Sequence, residues 1–279
     1  MSSFSLASQS VASVGAALDA TTLRQIILEQ SMRAGVGHIG SSLSIADIMS
    51  VLYGSVLNIP NAKHPNRDRF ILSKGHAALA LYAALHLRGW ISQEQLNTFC
   101  GDGSALGVHP EHALPGVDFA TGSLGQGLCM AAGAALAGQK LGASRRVFVL
   151  MSDAEMNEGS VWEAAMFAAH HKLSNLIVVL DLNGQQAFGY TKDVLDLAPA
   201  AHRWNAFGWR VTEVDGHDHQ QLTAALNVID TKSGAPTIVI ARTTFGKGVS
   251  FMENQIKWHY SPMSDAEYQQ ALREVAGNR

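Results

Sequence analysis

Residues Arg146 to Gly189 read R-V-F-V-L-M-S-D-A-E-M-N-E-G-S-V-W-E-A-A-M-F-A-A-H-H-K-L-S-N-L-I-V-V-L-D-L-N-G-Q-Q-A-F-G, and this stretch decides the fold. Val147 to Met151 is a short apolar run with two β-branched positions, which suits a buried strand. Ile177 to Leu180 is a second such run, and it ends in Asp181. Between them, Asn157 to His171 places Val161, Ala164, Ala165, Phe167 and Ala168 at helical spacing. Strand, helix and strand in so short a span form a βαβ unit, whose strands run parallel. Asp153 then lies just past the carboxyl end of the first strand, and Asn183 just past that of the second. Open α/β sheets bind ligands at that edge.

The chemistry there follows from the atoms. Asp153 offers a carboxylate, Asn183 an amide oxygen, and the turn at Gly184 and Gln185 a backbone carbonyl. Mg²⁺ takes such oxygens and completes its octahedron with phosphate and water. A helix starting near Asn157 adds N–H groups and partial positive charge suited to phosphate. The same residues also read as a helix cap at Asp153 and a turn residue at Asn183. Their spacing leaves both readings open.

The whole chain sets further bounds. Its 279 residues suit one large domain over 19–279, preceded by an N-terminal arm over 1–18. Charged residues make up 15% and hydrophobic ones 47%, too little charge to cover an ordinary monomer, so some surface is expected to be buried against other chains. A net charge of −3 without any Lys/Arg block excludes a nucleic-acid-binding class. Cys100 and Cys129 have no paired spacing and read as small core residues of a protein in a reducing compartment. Ser2 to Ala17 is Ser/Ala-rich without a basic n-region, so no secretory signal is expected, and a cytoplasmic location is. No apolar run reaches membrane length.

Moving outward, Asp19 suits the N-cap of a first helix reaching Arg33, with Leu23, Ile26, Ile27 and Gln30 on one face. Ala34 to Ser42 is a Gly-rich loop containing His38, and Ser44 is expected to cap the next helix. Asp68 to Ala77 is a short strand running into a helix over Gly75 to Leu87. His76 lies near that N-terminus, where the helix dipole lowers imidazole basicity and favours a neutral hydrogen-bond donor. Lys74 is expected to be solvated. Leu106 to Glu111 contains His109 beside Pro110. Thr121 to Gly127 opens a helix reaching Leu141, but its spacing is not the dinucleotide G-x-G-x-x-G. Pro199 to Phe207 reads as a short helix, Trp209 to Val214 as a strand, and Pro236 to Ala241 as another. His217 and His219 read as bystanders at the cap of a helix over His219 to Ile229. Lys247 lacks the P-loop spacing. His259 follows Trp258, and a last helix spans Ser264 to Val275.

Five of these blocks, in order from about Gly35 to His259, resemble transketolases, as does the Arg146 to Gly189 stretch among them. The segment containing Asp153, Glu158-Gly159, Trp162-Glu163-Ala164 and Asp181-Leu182-Asn183-Gly184 is similar to that family's thiamine diphosphate motif. Gly37-His38, Asp68 to His76, Gly107 to Glu111, Thr121 to Gly127 and Gly246 to His259 resemble its other blocks. The resemblance implies that Asp153, Asn183 and the Gln185 carbonyl hold Mg²⁺ on the cofactor diphosphate. It implies that His76, Gly122, Ser123, Leu124, Ala154 and Glu158 line the cofactor, and that His38, His76, His109 and His259 act on the substrate. Departures occur at Ser152 and Ala154 (Gly in the family), Ile39 (Pro) and Tyr260 (Gly), where the channel narrows.

The implied fold is a doubly wound, mostly parallel sheet with helices on both faces. The implied activity is transfer of a two-carbon ketol unit from a ketose or ketose phosphate to an aldose. The family's Glu at the cofactor's aminopyrimidine ring lies in a further domain. The chain is therefore expected to be the N-terminal subunit of a split transketolase. It would be active only with a C-terminal partner chain, in a heterotetramer. Alternatives are an acyloin-forming synthase using an α-keto acid, like deoxyxylulose phosphate synthase, and a non-catalytic scaffold subunit.

Overall fold

The computed structural model describes residues 18–277. The expected arm lies outside the described residues except for Leu18, which is buried. The strands are β1 (Arg69–Leu72), β2 (Val147–Ser152), β3 (Leu176–Leu182), β4 (Gln185–Gln186), β5 (Gly189–Tyr190), β6 (Arg210–Asp215) and β7 (Thr237–Arg242). Five form one parallel sheet in the order β1-β2-β3-β7-β6, while β4 and β5 pair as an antiparallel hairpin. The βαβ expectation is met: β2 and β3 are parallel neighbours, with Val147 opposite Leu176 and Ser152 opposite Asp181. β2, β3 and β7 are buried on both faces, which is why they read as unbroken apolar runs. β1 and β6 are the edge strands, and the R-V-T-E-V-D sequence of β6 leaves most of its positions in water.

The helices are α1 (Ala20–Ala34), α2 (Ile39–Ser44), α3 (Ala46–Val51), α4 (Ala78–Leu87), α5 (Gln93–Leu96), α6 (Gln126–Lys140), α7 (Gly159–His170), α8 (Thr191–Val194), α9 (Ala200–Ala206), α10 (His219–Asn227) and α11 (Asp265–Gly277). Alternation along β2 splits the core. Phe148 and Leu150 face a cluster built by α1 to α4, α10 and α11, whereas Val147, Val149 and Met151 face α6, α7 and α9. The second layer is thin because Ala131, Ala132 and Ala135 of α6 meet Ala164, Ala165 and Ala168 of α7, all buried. A larger side chain there would overpack, at a cost of about 1–3 kcal/mol. None of the described helices is long and apolar enough to cross a membrane.

Four local expectations need correction. The Gly-rich stretch is not all loop, because α2 begins at Ile39 after His38 takes a left-handed φ of 61°. Its glycines serve close approach: a side chain at Gly37 would overlap the Tyr260 backbone, and one at Gly40 the Phe245 ring. Ser44 ends α2 and caps nothing, and its hydroxyl instead donates to Asp181. The helix expected from Asn157 starts at Gly159, after a one-turn helix over Ala154–Asn157. The buried Glu155 carboxylate holds that turn by accepting from the Ser152 and Gly125 N–H groups at 2.9 and 3.0 Å and from the Ser73 hydroxyl. The cysteines are not core residues either, since Cys100 is half-buried and Cys129 exposed.

Candidate active site

The chain reaches β3 through β1 and β2 in order, then runs to the far edge at β6 and returns through β7. That break in strand order opens a crevice beyond the carboxyl ends of β3 and β7. His76 follows β1 on a one-turn helix, Asn183 follows β3, and Phe245 follows β7. His38 enters from the α1–α2 connection and His259 from a one-turn helix over Ile256–His259. The imidazoles of His38, His76 and His259 form a triangle, each pair of ring centroids 5.3 Å apart. Phe245 stacks on His259 at 5.9 Å and 15°. His109 joins the same cavity from an exposed loop, which Tyr82 steadies by donating its hydroxyl to the Gly107 and His109 carbonyls.

This cavity, about 330 Å³, brings together most of the residues singled out in the sequence: all four histidines, Gly122, Leu124, Ala154, Glu158, Asn183 and Gln185. Ser123 is exposed and does not line it. Asp153 lies just behind the wall, 3% exposed, and opens toward an adjacent hollow of about 150 Å³. Ala154 is not among the residues with positive φ, so its methyl group sits in an unstrained turn where the family resemblance leads one to expect Gly.

The histidines share one electrostatic condition. Burial pushes the His76 imidazole well below its ordinary value, helped by Lys74 and the neighbouring histidines. Burial and His109 lower His38, and burial and His38 push His259 down to about 4. All three are neutral at neutral pH. Nδ1 of His38, Nδ1 of His259 and Oε1 of Gln185 are buried without a hydrogen-bond partner. A buried polar atom left unpaired costs roughly 1–3 kcal/mol, and these three belong to residues that line one cavity. Ser41 was not singled out in the sequence, yet its hydroxyl lies 2.8 Å from Nε2 of His76. Its only signal was its place in the Gly40-Ser41-Ser42 run.

Asp153 and the Asn183 turn do converge. Oδ2 of Asp153 accepts from the Gly184 N–H at 2.8 Å, and Oδ1 from its neighbour Ala154. Burial, then the nearby Asp181, raises the Asp153 carboxyl to about 7. Asn183 donates its Nδ2 to Asp181 at 2.8 Å, which fixes the amide so that Oδ1 is the acceptor for the Gln185 N–H at 2.9 Å. Asp181 is a hub: its carboxylate also accepts from Ser44 at 2.9 Å, from Thr243, and from Nζ of Lys74 at 2.5 Å. Lys74 is therefore not solvated but fully buried in an ion pair. Its aliphatic stem fills the core, and its ammonium finds a carboxylate 107 positions away.

A second polar cluster lies elsewhere. Asp47 accepts from Nδ1 of His217 at 2.7 Å and Nε2 of His219 at 3.0 Å, and pairs with Arg24. Burial would raise that carboxyl, but these three donors outweigh it and hold it below the usual carboxylate range. His217 and His219 thus have a structural task, which the reading of them as bystanders missed; Asp218 is the helix cap, as expected. A hollow of about 840 Å³ adjoins this cluster, larger than the histidine cavity but containing none of the expected site residues.

Residues 16–278 match the family described as the transketolase thiamine diphosphate binding domain. The chain is 39% identical to one subunit of the apulose-4-phosphate transketolase of Phocaeicola vulgatus, over 91% of each chain. It is 38% identical to a 6-deoxy-6-sulfo-D-fructose transketolase subunit of a Clostridium species, over 92% of this chain and 94% of that one. Human transketolase is 38% identical over 92% of this chain but only 41% of its own length. Among solved structures, transketolase from Leishmania mexicana superposes with a TM-score of 0.87 at 30% identity, and that from Campylobacter jejuni with 0.86 at 34%. The chain spans about two fifths of those solved proteins, 40% and 42%. Sheet order, crevice and sequence agree: the chain belongs to the transketolase family, matching its thiamine diphosphate binding domain.

Proposed function

We propose that this chain is the diphosphate-holding subunit of a two-chain transketolase, moving a two-carbon ketol unit from a ketose or ketose phosphate to an aldose. The observation that carries the reading is the triangle of neutral imidazoles with unpaired buried nitrogens, set beside the Asp153–Gly184 contact. Relatives named as transketolase subunits, matched over more than nine tenths of their length, support the two-chain arrangement.

The donor set suits a hard cation. Asp153, the Asn183 amide oxygen and the Gln185 carbonyl all offer oxygen, and the Asp153 and Asn183 oxygens retain lone pairs beside the hydrogen bonds they accept. These groups would hold Mg²⁺, and through it a diphosphate, with Gly122 and Leu124 against the flat ring of thiamine diphosphate. When bound, that cofactor supplies the carbon nucleophile and electron sink for ketol transfer. The chain's own part is positioning and proton handling. His38 and His259 line the cavity with uncharged imidazoles, which can accept or return a proton at a substrate hydroxyl. Ser41 fixes the tilt of His76. The stacked Phe245 and the hairpin exclude water from one side.

Glu158 is the only carboxylate lining the histidine cavity among the described residues, and it is exposed. The cavity offers no buried acid to activate the cofactor's ring, so a partner chain supplies it. The complex is a heterotetramer in the cytoplasm, and neither nucleic acid nor membrane takes part. The test mixes the chain, a C-terminal transketolase chain, thiamine diphosphate and Mg²⁺, and assays ketose donors and pyruvate separately. Ketose-dependent transfer requiring both chains is expected. Turnover by the chain alone, or consumption of pyruvate, overturns the reading. Calorimetry showing no cofactor binding to the complex would leave only a scaffold.

A further inference from the structure

The mouth of the histidine cavity is crossed by a side chain that the proposed reaction does not require. Tyr260 follows His259, and its hydroxyl donates to the Ala187 carbonyl at 2.9 Å. Ala187 lies in the tip between β4 and β5, the hairpin that begins at Gln185. The tyrosine therefore ties the histidine wall to the hairpin tip.

Both ends of this strap are anchored. The Tyr260 backbone presses on Gly37, where no side chain fits, and the His38 N–H bonds to the His259 carbonyl at 3.3 Å. Its ring lies 5.0 Å from that of His259 and 6.4 Å from that of His38. At the other end, Gln185 donates its Nε2 to the Asn254 carbonyl at 3.0 Å, bracing the hairpin. Phe188, at the tip, is 86% exposed and also lines the cavity mouth.

The available space gives the strap a consequence. This chain's share of the site is a cavity of about 330 Å³, and Tyr260 and Phe188 stand among its lining residues beside all four histidines. No Lys or Arg lines it, so this chain offers a sugar's far end no fixed positive charge. We infer that Tyr260, strapped to Ala187, is a specificity-determining residue that favours short aldose acceptors over long ones. A longer acceptor has to pass the tyrosine ring, which is held by its own hydrogen bond. This inference rests on the ketol-transfer reading above.

The test uses the complete two-chain complex with thiamine diphosphate and Mg²⁺, and a fixed ketose donor. It compares kcat/KM for glyceraldehyde and for ribose as acceptors. Tyr260→Gly should shift the ribose-to-glyceraldehyde ratio upward by about tenfold, mainly through a lower KM for ribose. Tyr260→Phe keeps the ring and removes only the hydrogen bond, so it should shift the ratio by about threefold in the same direction. An active complex whose ratio moves less than twofold in Tyr260→Gly overturns the strap alone. A wild-type complex that transfers ketol units to neither aldose overturns the functional reading, and this inference with it.

Discussion

Two sets of histidines occupy this molecule, and their difference separates a site from a scaffold. At Asp47, His217 uses both ring nitrogens, Nδ1 toward the carboxylate and Nε2 as acceptor from the Thr244 N–H at 2.8 Å. His219 is raised above its ordinary value by its hydrogen bond to Asp47. In the cavity, His38 and His259 have no carboxylate, keep an unpaired buried nitrogen, and are lowered by burial. The same side chain is a strut where its nitrogens are paired and a waiting ligand where they are not.

The sharpest way to break this contrast is to delete one histidine from the cavity and one from the Asp47 cluster. With cofactor and partner chain present, His76→Ala should lower kcat/KM by about 10²–10⁴-fold, the usual range for a positioned acid–base group. Its unfolding midpoint should hardly move. His219→Gln should do the reverse, with kcat/KM within about twofold and a loss of roughly 1 kcal/mol of stability. Steady-state kinetics and thermal melts on both variants decide the point. A His219→Gln complex as slow as His76→Ala would erase the distinction.

Next comes the hub that serves the site without touching its cavity. Lys74→Met strands the Asp181 carboxylate in the core and should cost about 3–5 kcal/mol in denaturant unfolding. Restoring neutrality with Asp181→Asn in the same chain should recover much of that stability but not the orientation of Asn183. Cofactor affinity, read by calorimetry on the complex, should therefore stay weak in the double variant. Full recovery of affinity would show that the hub only balances charge.

Acidity offers a gentler test. His259 has a depressed folded value of about 4, so between its unfolded value near 6.5 and that point the unfolded chain binds the extra proton. Its contribution is present above about pH 6.5 and is lost as the pH falls toward 4. His219 has the opposite sign: its stabilisation is present below its unfolded value and is lost as the pH rises through its raised folded value. Replacing His259 with Asn should flatten the acid side of the melting curve, and replacing His219 with Gln the neutral side. The smallest expected effect is at Ala154, where Ala154→Gly should change thiamine diphosphate affinity by less than about threefold, because the turn needs no left-handed residue there.

Much of this was legible in the sequence, for identifiable reasons. β2, β3 and β7 announce themselves as apolar runs because both their faces are covered. The placement of Asp153 and Asn183 at strand ends follows directly from those runs. The four histidines were found by the blocks around them, since a lone His carries no signal of its own. What stayed hidden depends on distant partners. Lys74 reads as a surface residue until Asp181 is placed beside it, and nothing near Asp47 in the sequence marks the His217 and His219 that reach it from 170 and 172 positions away. The start of α2 was missed because its glycines look like flexibility, while in the fold they make room for Phe245 and Tyr260.

One carboxylate, that of Asp181, gathers Ser44, Lys74, Asn183 and Thr243 from four separate parts of the chain. Anyone transplanting this pocket into a new scaffold would have to carry all four segments at once, since the loop that bears Asn183 has no aim of its own. The aim of Asn183 therefore stands or falls with three distant side chains, whereas Tyr260 at the mouth can be exchanged without disturbing any of them.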